Sequence, residues 1–289
     1  MPLVAALAAS HAPNILLEPG REWEDFMDLH YSMAPADSVR RPTFEQQKKL
    51  RQDAENAFAV LRADLEQAKP DVLIVVANDQ FVNFFWNNIP TFFVTVGDEV
   101  KGQFTQHKFH FKNHQELGKA IVRAGMENGI DFSYGEHIEL QHTQNVPLYF
   151  LLPKPTIPIL PIYVNTWVDP APSPRRCYQV GELIRAVANR SQERVAILAT
   201  GGLSHFPGSP RIGEIDESFD HKLLDVMRQG KGKSLVDYSV QDLLQAGDSE
   251  FLNWMVVVGA IGDAKASYTA YMPDFVATGW GFVSWKLQN

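Results

Sequence analysis

The 289-residue sequence holds a single cysteine, Cys177. No intrachain disulfide can form, which suits a reducing, cytoplasmic setting. Basic residues are also short: 26 Lys and Arg against 34 Asp and Glu give a net charge of -8. That balance argues against nucleic acid or an anionic membrane surface as the main partner. No apolar run approaches the roughly 18 residues that a membrane helix needs. The apolar start, residues 1–10, lacks a basic leader and runs straight into His11-Ala12-Pro13, so it reads as a first strand and not as a signal peptide. CxxC, HExxH and GxGxxG are all missing, so no motif points to zinc fingers, zincins or dinucleotide binding. There is no internal repeat, low-complexity tract or obvious linker.

What remains is a chain with 45% hydrophobic residues, ample for a full core. A single domain over residues 1–289 is the simplest reading. Leu3 to Ala9 is a near-continuous apolar strand, as expected where both faces are covered. Thr43 and Gln46 fit a capping box, and Leu50, Ala54, Ala57, Phe58, Leu61 and Leu65 follow at helical spacing, predicting a helix to about Ala68. Further strands are expected over Asp71 to Ala77, Phe92 to Val96, Ile130 to Ser133, Thr156 to Val164 and Arg194 to Thr200. Pro158 and Pro161 predict that the Thr156 strand is kinked or lies at an edge. Helices are expected from Asn113, which can cap one ending at Gly129, after Gln141, over Pro174 to Asn189, over Glu214 to Arg228, and over Asp248 to Ile261. Asp248 is expected to cap the last of these, leaving Glu250 in its first turn. The tail, Ser267 to Trp285, returns to the sheet. Residues 18–42 lack a period and read as an excursion or lid. Strands alternating with helices indicate three α/β/α layers around a mostly buried central sheet.

Three strand ends carry polar clusters: Ser10-His11, Asn78-Asp79-Gln80 and Ser204-His205. The last follows a Gly201-Gly202 turn. Strand ends on one edge of an open sheet converge, and that is where such sheets place their chemistry. Gln141-His142 opens a helix, and Gly247-Asp248-Ser249-Glu250 precedes another. Several imidazoles and one carboxylate are what a non-haem Fe(II) site uses, with two His and one carboxylate on one face. Taken singly, each histidine also fits a structural hydrogen bond. Phe81, Phe84, Phe85 and Trp86 supply either a wall for a flat ring or, as the plainer reading, core packing. Arg211 is a candidate for meeting a substrate carboxylate bidentately, or a solvated surface arginine.

The set Ala9-Ser10-His11-Ala12-Pro13, Asn78-Asp79-Gln80, His142-Thr143-Gln144-Asn145-Val146-Pro147-Leu148, Thr200-Gly201-Gly202-Leu203-Ser204-His205 and Gly247-Asp248-Ser249-Glu250 resembles the class III extradiol ring-cleavage dioxygenases, in the order found there. It is most similar to their protocatechuate 4,5-dioxygenase type of catalytic subunit. The resemblance implies a mixed central sheet, Fe(II) as cofactor, and a small aromatic diol plus O2 as reactants, the diol protocatechuate- or gallate-like or a substituted catechol. It makes His11 and Glu250 metal ligands, His205 the acid/base and His142 a second pocket histidine. Gln80 stands where the resembled family has its second ligand histidine. Three explanations stay open: Gln80 ligates through its amide or yields to water; His30 (or His107, His110 or His114) restores a second imidazole; or iron chemistry has been lost. The rival functions are a ligand-depleted, non-catalytic partner subunit and another metal-dependent lyase or hydrolase. A homo-oligomer or a helper subunit is compatible with the resemblance.

Overall fold

The computed structural model describes residues 3–30, 41–274 and 278–287, with only the backbone at residue 30. In chain order the elements are β1 Leu3–Ala9, α1 Arg21–His30, α2 Phe44–Ala68, β2 Val72–Ala77, β3 Phe92–Thr95, β4 Glu99–Phe104, β5 His107–Lys112, α3 Gln115–Glu127, β6 Ser133–Gly135, β7 Glu139–Leu140, α4 His142–Leu151, β8 Ile159–Val164, α5 Pro174–Ala188, β9 Val195–Thr200, α6 Glu217–Gln229, α7 Val240–Ala246, α8 Phe251–Ile261, β10 Tyr268–Asp274 and β11 Thr278–Lys286.

Eight strands form a mixed central sheet in the order β10-β11-β1-β9-β2-β8-β3-β6. The middle four, β1, β9, β2 and β8, are mutually parallel. Each is buried along its whole length. Successive side chains then feed opposite faces. Val72, Ile74 and Val76 join the core under α3, α5 and α8, while Leu73 and Val75 join the core under α2 and α4. These are the expected three α/β/α layers.

The helix α8 is apolar on all sides and buried throughout, because it lies between the sheet and α5. Its approach to α5 is close. A Cβ on Gly181 would lie 2.0 Å from the Val256 carbonyl oxygen, and one on Gly259 would lie 2.0 Å from that of Tyr178. The predicted capping box at Thr43 is present and α2 ends at Ala68.

Several expectations are corrected. The strand carrying Pro158 and Pro161 is not at an edge: β8 lies between β2 and β3. It accommodates Pro161 because pairing with β3 extends only over Ile162 to Val164. The cap of α3 is His114, whose ring accepts the Leu117 N–H; Asn113 instead donates to the Thr95 and Gly97 carbonyls. The strand expected at Ile130 begins at Ser133. A second, three-stranded sheet, β5-β4-β7, was not foreseen. Neither was α1, which occupies part of the aperiodic stretch; residues 31–40 of that stretch lie outside the described residues. No helix among the described residues is long and apolar enough to cross a membrane.

Candidate active site

The C-terminal ends of β1, β9 and β2 lie side by side, with Ala9 opposite Thr200 and Val76 opposite Ala199. His11, Asn78 to Gln80 and Gly201 to His205 therefore emerge at one rim, as their positions after strands predict. The N-terminus of α8 brings Glu250 to the same rim. Gly201 takes φ +142, and a Cβ there would sit 3.0 Å from the Glu250 Cβ. The bare turn is what lets the carboxylate come so close to the backbone.

Glu250 is the hub. Its side chain is 1% exposed and does not cap its own helix. His11 Nε2 lies 3.2 Å from Oε1 and 3.1 Å from Oε2. Asn78 Nδ2 donates to Oε1 at 3.0 Å, and the Gln80 amide reaches the same oxygen at 3.2 Å. The Gly202 N–H donates to Oε2 at 3.0 Å. Burial alone pushes this carboxyl up, but the charges of His11 and His205 and these donors hold it well below the usual carboxylate range. It is an ionised group in a dry place, which is tolerable only with such partners.

Two residues not singled out in the sequence orient this hub. Thr200 Oγ1 meets His11 Nδ1 at 3.2 Å, which turns Nε2 toward Glu250. Asn253, one turn into α8, donates to Asn78 Oδ1 at 3.0 Å and to the Thr200 carbonyl at 2.9 Å. The only sequence signal for it was a polar residue inside an otherwise apolar helix. Asp79 builds the following loop, accepting the N–H groups of Val82, Asn83 and Phe84.

His205 Nδ1 faces the Leu203 carbonyl at 3.1 Å. A carbonyl only accepts, so Nδ1 carries a proton, and in the neutral ring the lone pair is on Nε2. That Nε2 lies 3.8 Å from Glu250 Oε2, too far for a hydrogen bond. The His142 ring packs edge-on to His11, 5.6 Å between centroids, with Phe104 on another side at 6.0 Å. All five rim side chains, His11, Gln80, His142, His205 and Glu250, line one cavity of about 630 Å³. Phe104, Trp167, Pro207 and Ile212 supply apolar wall, and α1 supplies its outer side.

Other candidates lie elsewhere. Arg211 stands over the Phe206 ring at 3.7 Å and is bonded to Glu214 and the Gln245 carbonyl; it does not line the cavity. His110 pairs with Glu99, His114 with Glu193, and His107 stacks on Tyr149. The His30 side chain lies outside the described residues. Neither reading of the aromatic loop holds for all four rings: Phe84 packs on Phe93 and Tyr163, but Phe81, Phe85 and Trp86 are exposed, Trp86 by 77%, and none lines the cavity.

The donors can be tested against a metal ion. Among the described residues no three His, Cys, Asp or Glu side chains meet in metal-binding geometry. Yet His11 Nε2 and the Glu250 oxygens are 3.1–3.2 Å apart. Two ligands each about 2.1 Å from a shared ion and at right angles to each other are separated by about 3 Å. The Gln80 amide ends at the same oxygen, and its O and N ends exchange by a simple flip. One imidazole, one carboxylate and one amide oxygen fit a divalent cation, with a harder donor set than two imidazoles would give.

Asp248 does not cap α8 as expected. Its carboxyl is fully buried against Asp220, beneath the His205 turn. Asp220 accepts the Ser204 N–H at 2.9 Å, the Ser204 hydroxyl at 2.8 Å and the Tyr271 hydroxyl at 2.6 Å. Burial raises Asp220 to about 6 in spite of those bonds. Burial and the Asp220 and Asp216 charges raise Asp248 well above its ordinary 3.8. Such a group gives up its proton more readily in the unfolded chain than in the fold, so it removes stability progressively as pH rises above about 4. Asp248→Asn is expected to add roughly 2 kcal/mol at pH 8 and little at pH 4. Urea unfolding at the two pH values measures this; an equal effect at both would contradict an upward shift at Asp248.

Residues 38–281 match the family described as the catalytic LigB subunit of aromatic ring-opening dioxygenase. Gln80, His142, His205 and Glu250 fall inside that stretch and His11 before it. The chain is 29% identical over 184 residues to the 2,3-dihydroxyphenylpropionate/2,3-dihydroxicinnamic acid 1,2-dioxygenases of Klebsiella pneumoniae (strain 342) and Escherichia coli (strain K12 / DH10B). The match covers 63% of this chain but only 57% of those relatives. Among solved structures, the uncharacterized protein JW3007 from Escherichia coli K12 shares the fold, with a TM-score of 0.55 at 12% identity over 97% of this chain and 99% of that one. With the family match running over residues 38–281, and so through Gln80, His142, His205 and Glu250, the chain belongs to the family of catalytic LigB subunits of aromatic ring-opening dioxygenases.

Proposed function

We propose that the chain is a single-domain, non-haem Fe(II)-dependent extradiol dioxygenase that opens the ring of a catecholic aromatic. The observation that carries this reading is the convergence of His11, Gln80, His142, His205 and Glu250 on one cavity around an ionised, buried carboxylate. The names of the relatives, which denote dioxygenases of dihydroxyphenyl compounds, agree with it.

His11, Glu250 and the Gln80 amide oxygen hold the ion. Bound there, Fe(II) would supply Lewis acidity toward the diol and the electrons through which O2 reacts. The protein does the rest. Apolar walls from Phe104, Trp167, Pro207 and Ile212 position a flat ring and keep water out. His205 lines the cavity and has its Nδ1 on the Leu203 carbonyl; with its ring neutral, Nε2 removes a phenolic proton and later returns it. His142, beside His11, stabilises charge on the diol oxygens. The test is O2 uptake by the purified chain, given Fe(II) anaerobically and then protocatechuate, gallate and substituted catechols with O2. Uptake with ring opening is expected, and none with any catechol counts against the activity.

Gln80 favours one second reading, the non-catalytic partner subunit, for which the isolated chain would hold no stoichiometric iron. It also yields a prediction. Gln80→His replaces an amide with the donor ferrous iron prefers, so Fe(II) affinity is expected to rise on the order of 10–100-fold. Competition against a chelating dye measures this. An unchanged affinity would show that residue 80 is not a ligand.

A further inference from the structure

On the catechol reading, the diol of a bound ring meets the histidines, and α1 supplies another part of the same cavity's wall. Glu22, Asp25, Phe26 and Leu29 occupy one face of that helix, at spacings of three, one and three residues, and all four line the cavity. The outer wall is therefore two carboxylates beside two apolar side chains. Among the described residues no lysine or arginine lines the cavity. Nearby cations are engaged: Arg41 with Glu24 and Asp28, and Arg211 with Glu214 and the Gln245 carbonyl. Arg21 approaches Asp25 at 3.7 Å, but both side chains are largely in solvent, 93% and 71% exposed, so that pair screens Asp25 only weakly. The chain's net charge of -8 adds a field of the same sign.

We propose that Glu22 and Asp25 are specificity-determining residues that make the cavity select catechols with a cationic or neutral ring substituent and reject those bearing a carboxylate. This rests on the catechol reading of the site and narrows it. A carboxylate at the α1 end of the ring would face two like charges, offset among the described residues only by the solvent-exposed Arg21 beside Asp25, whereas an ammonium would face two opposite ones. A cleft with apolar walls concentrates that preference. The relatives' names denote a carboxylated substrate, so the proposal separates this chain from them.

The experiment is anaerobic calorimetry of the Fe(II)-loaded chain with three catechols of matched length, bearing ethyl, aminoethyl and carboxyethyl groups. The aminoethyl compound is expected to bind about tenfold more tightly than the carboxyethyl one at low ionic strength. The ratio should shrink toward one at high salt and in the double variant Glu22→Gln, Asp25→Asn, which keeps side-chain size while removing both charges. Equal or tighter binding of the carboxyethyl compound overturns the proposal, as does a ratio the double variant leaves unchanged. In either case binding of the ethyl compound keeps the catechol reading standing; failure of all three to bind removes that reading and the proposal with it.

Discussion

His205→Ala is expected to lower catechol turnover by about 10²–10⁴-fold while leaving metal uptake intact. The ring Nδ1 is committed to the Leu203 carbonyl, so Nε2 is the nitrogen left to exchange a proton with a molecule in the cavity that His205 lines. At 3.8 Å from Glu250 Oε2, that nitrogen is near the carboxylate without being bonded to it. Removing the ring deletes the proton-exchanging nitrogen and the edge contact with Trp167, while the backbone contacts of the turn, Leu203 N–H to Gly279 and His205 N–H to Gly247, use no side chain. Metal content by atomic spectroscopy and single-turnover rates separate the two effects. Loss of iron together with activity would make His205 a ligand and overturn the assignment.

The second large effect is at Glu250. Glu250→Ala is expected to abolish cation binding and to cost about 3–5 kcal/mol of stability. The carboxylate gathers His11, Asn78, Gln80 and the Gly202 N–H, and its loss leaves those donors buried and unpaired. Its depressed pKa gives the pH dependence its sign. A carboxyl that ionises more readily in the fold contributes stability above its ordinary value of 4.5 and loses it as the pH falls below that value. The gap between wild type and variant should therefore be widest near neutrality and narrow in acid. Urea unfolding at pH 7 and pH 3 measures this, and a gap that widens in acid would contradict an ionised Glu250. A variant that still takes up one equivalent of metal would remove Glu250 from the site.

The convergence of the candidate residues was legible in the sequence where the chain's own punctuation marks it. Buried strands read as unbroken apolar runs, and His11, Gln80 and His205 follow directly after such runs, so a shared rim was enough to bring them together. Glu250 was visible through the apolar helix it precedes, although its helix-capping neighbour was misread. Asp248 is buried in a carboxyl pair, a placement that no local pattern encodes. Arg211 failed for a related reason: spacing from His205 cannot tell which way a loop turns, and this one turns toward Glu214. Pro161 misled because proline is costly only where a sheet partner needs its N–H, and that depends on how far β3 extends. The short strands β4, β5 and β7 alternate charge and aromatics over few residues, too little signal for a second sheet. Thr200 and Asn253 matter through what they touch across long separations in the chain.

Those separations have a consequence. The side chains around Glu250 come from 239 and 170 positions away, on strands that meet only when the parallel sheet has closed. A partly folded molecule has no centre to offer, so a cation bound there binds the native state alone. At a free concentration about 100-fold above its dissociation constant, such an ion adds about 2.7 kcal/mol to the folding equilibrium. If the proposed metal is bound there, its supply in the cell would set how long each molecule survives, and starvation would shorten the lifetime of the protein.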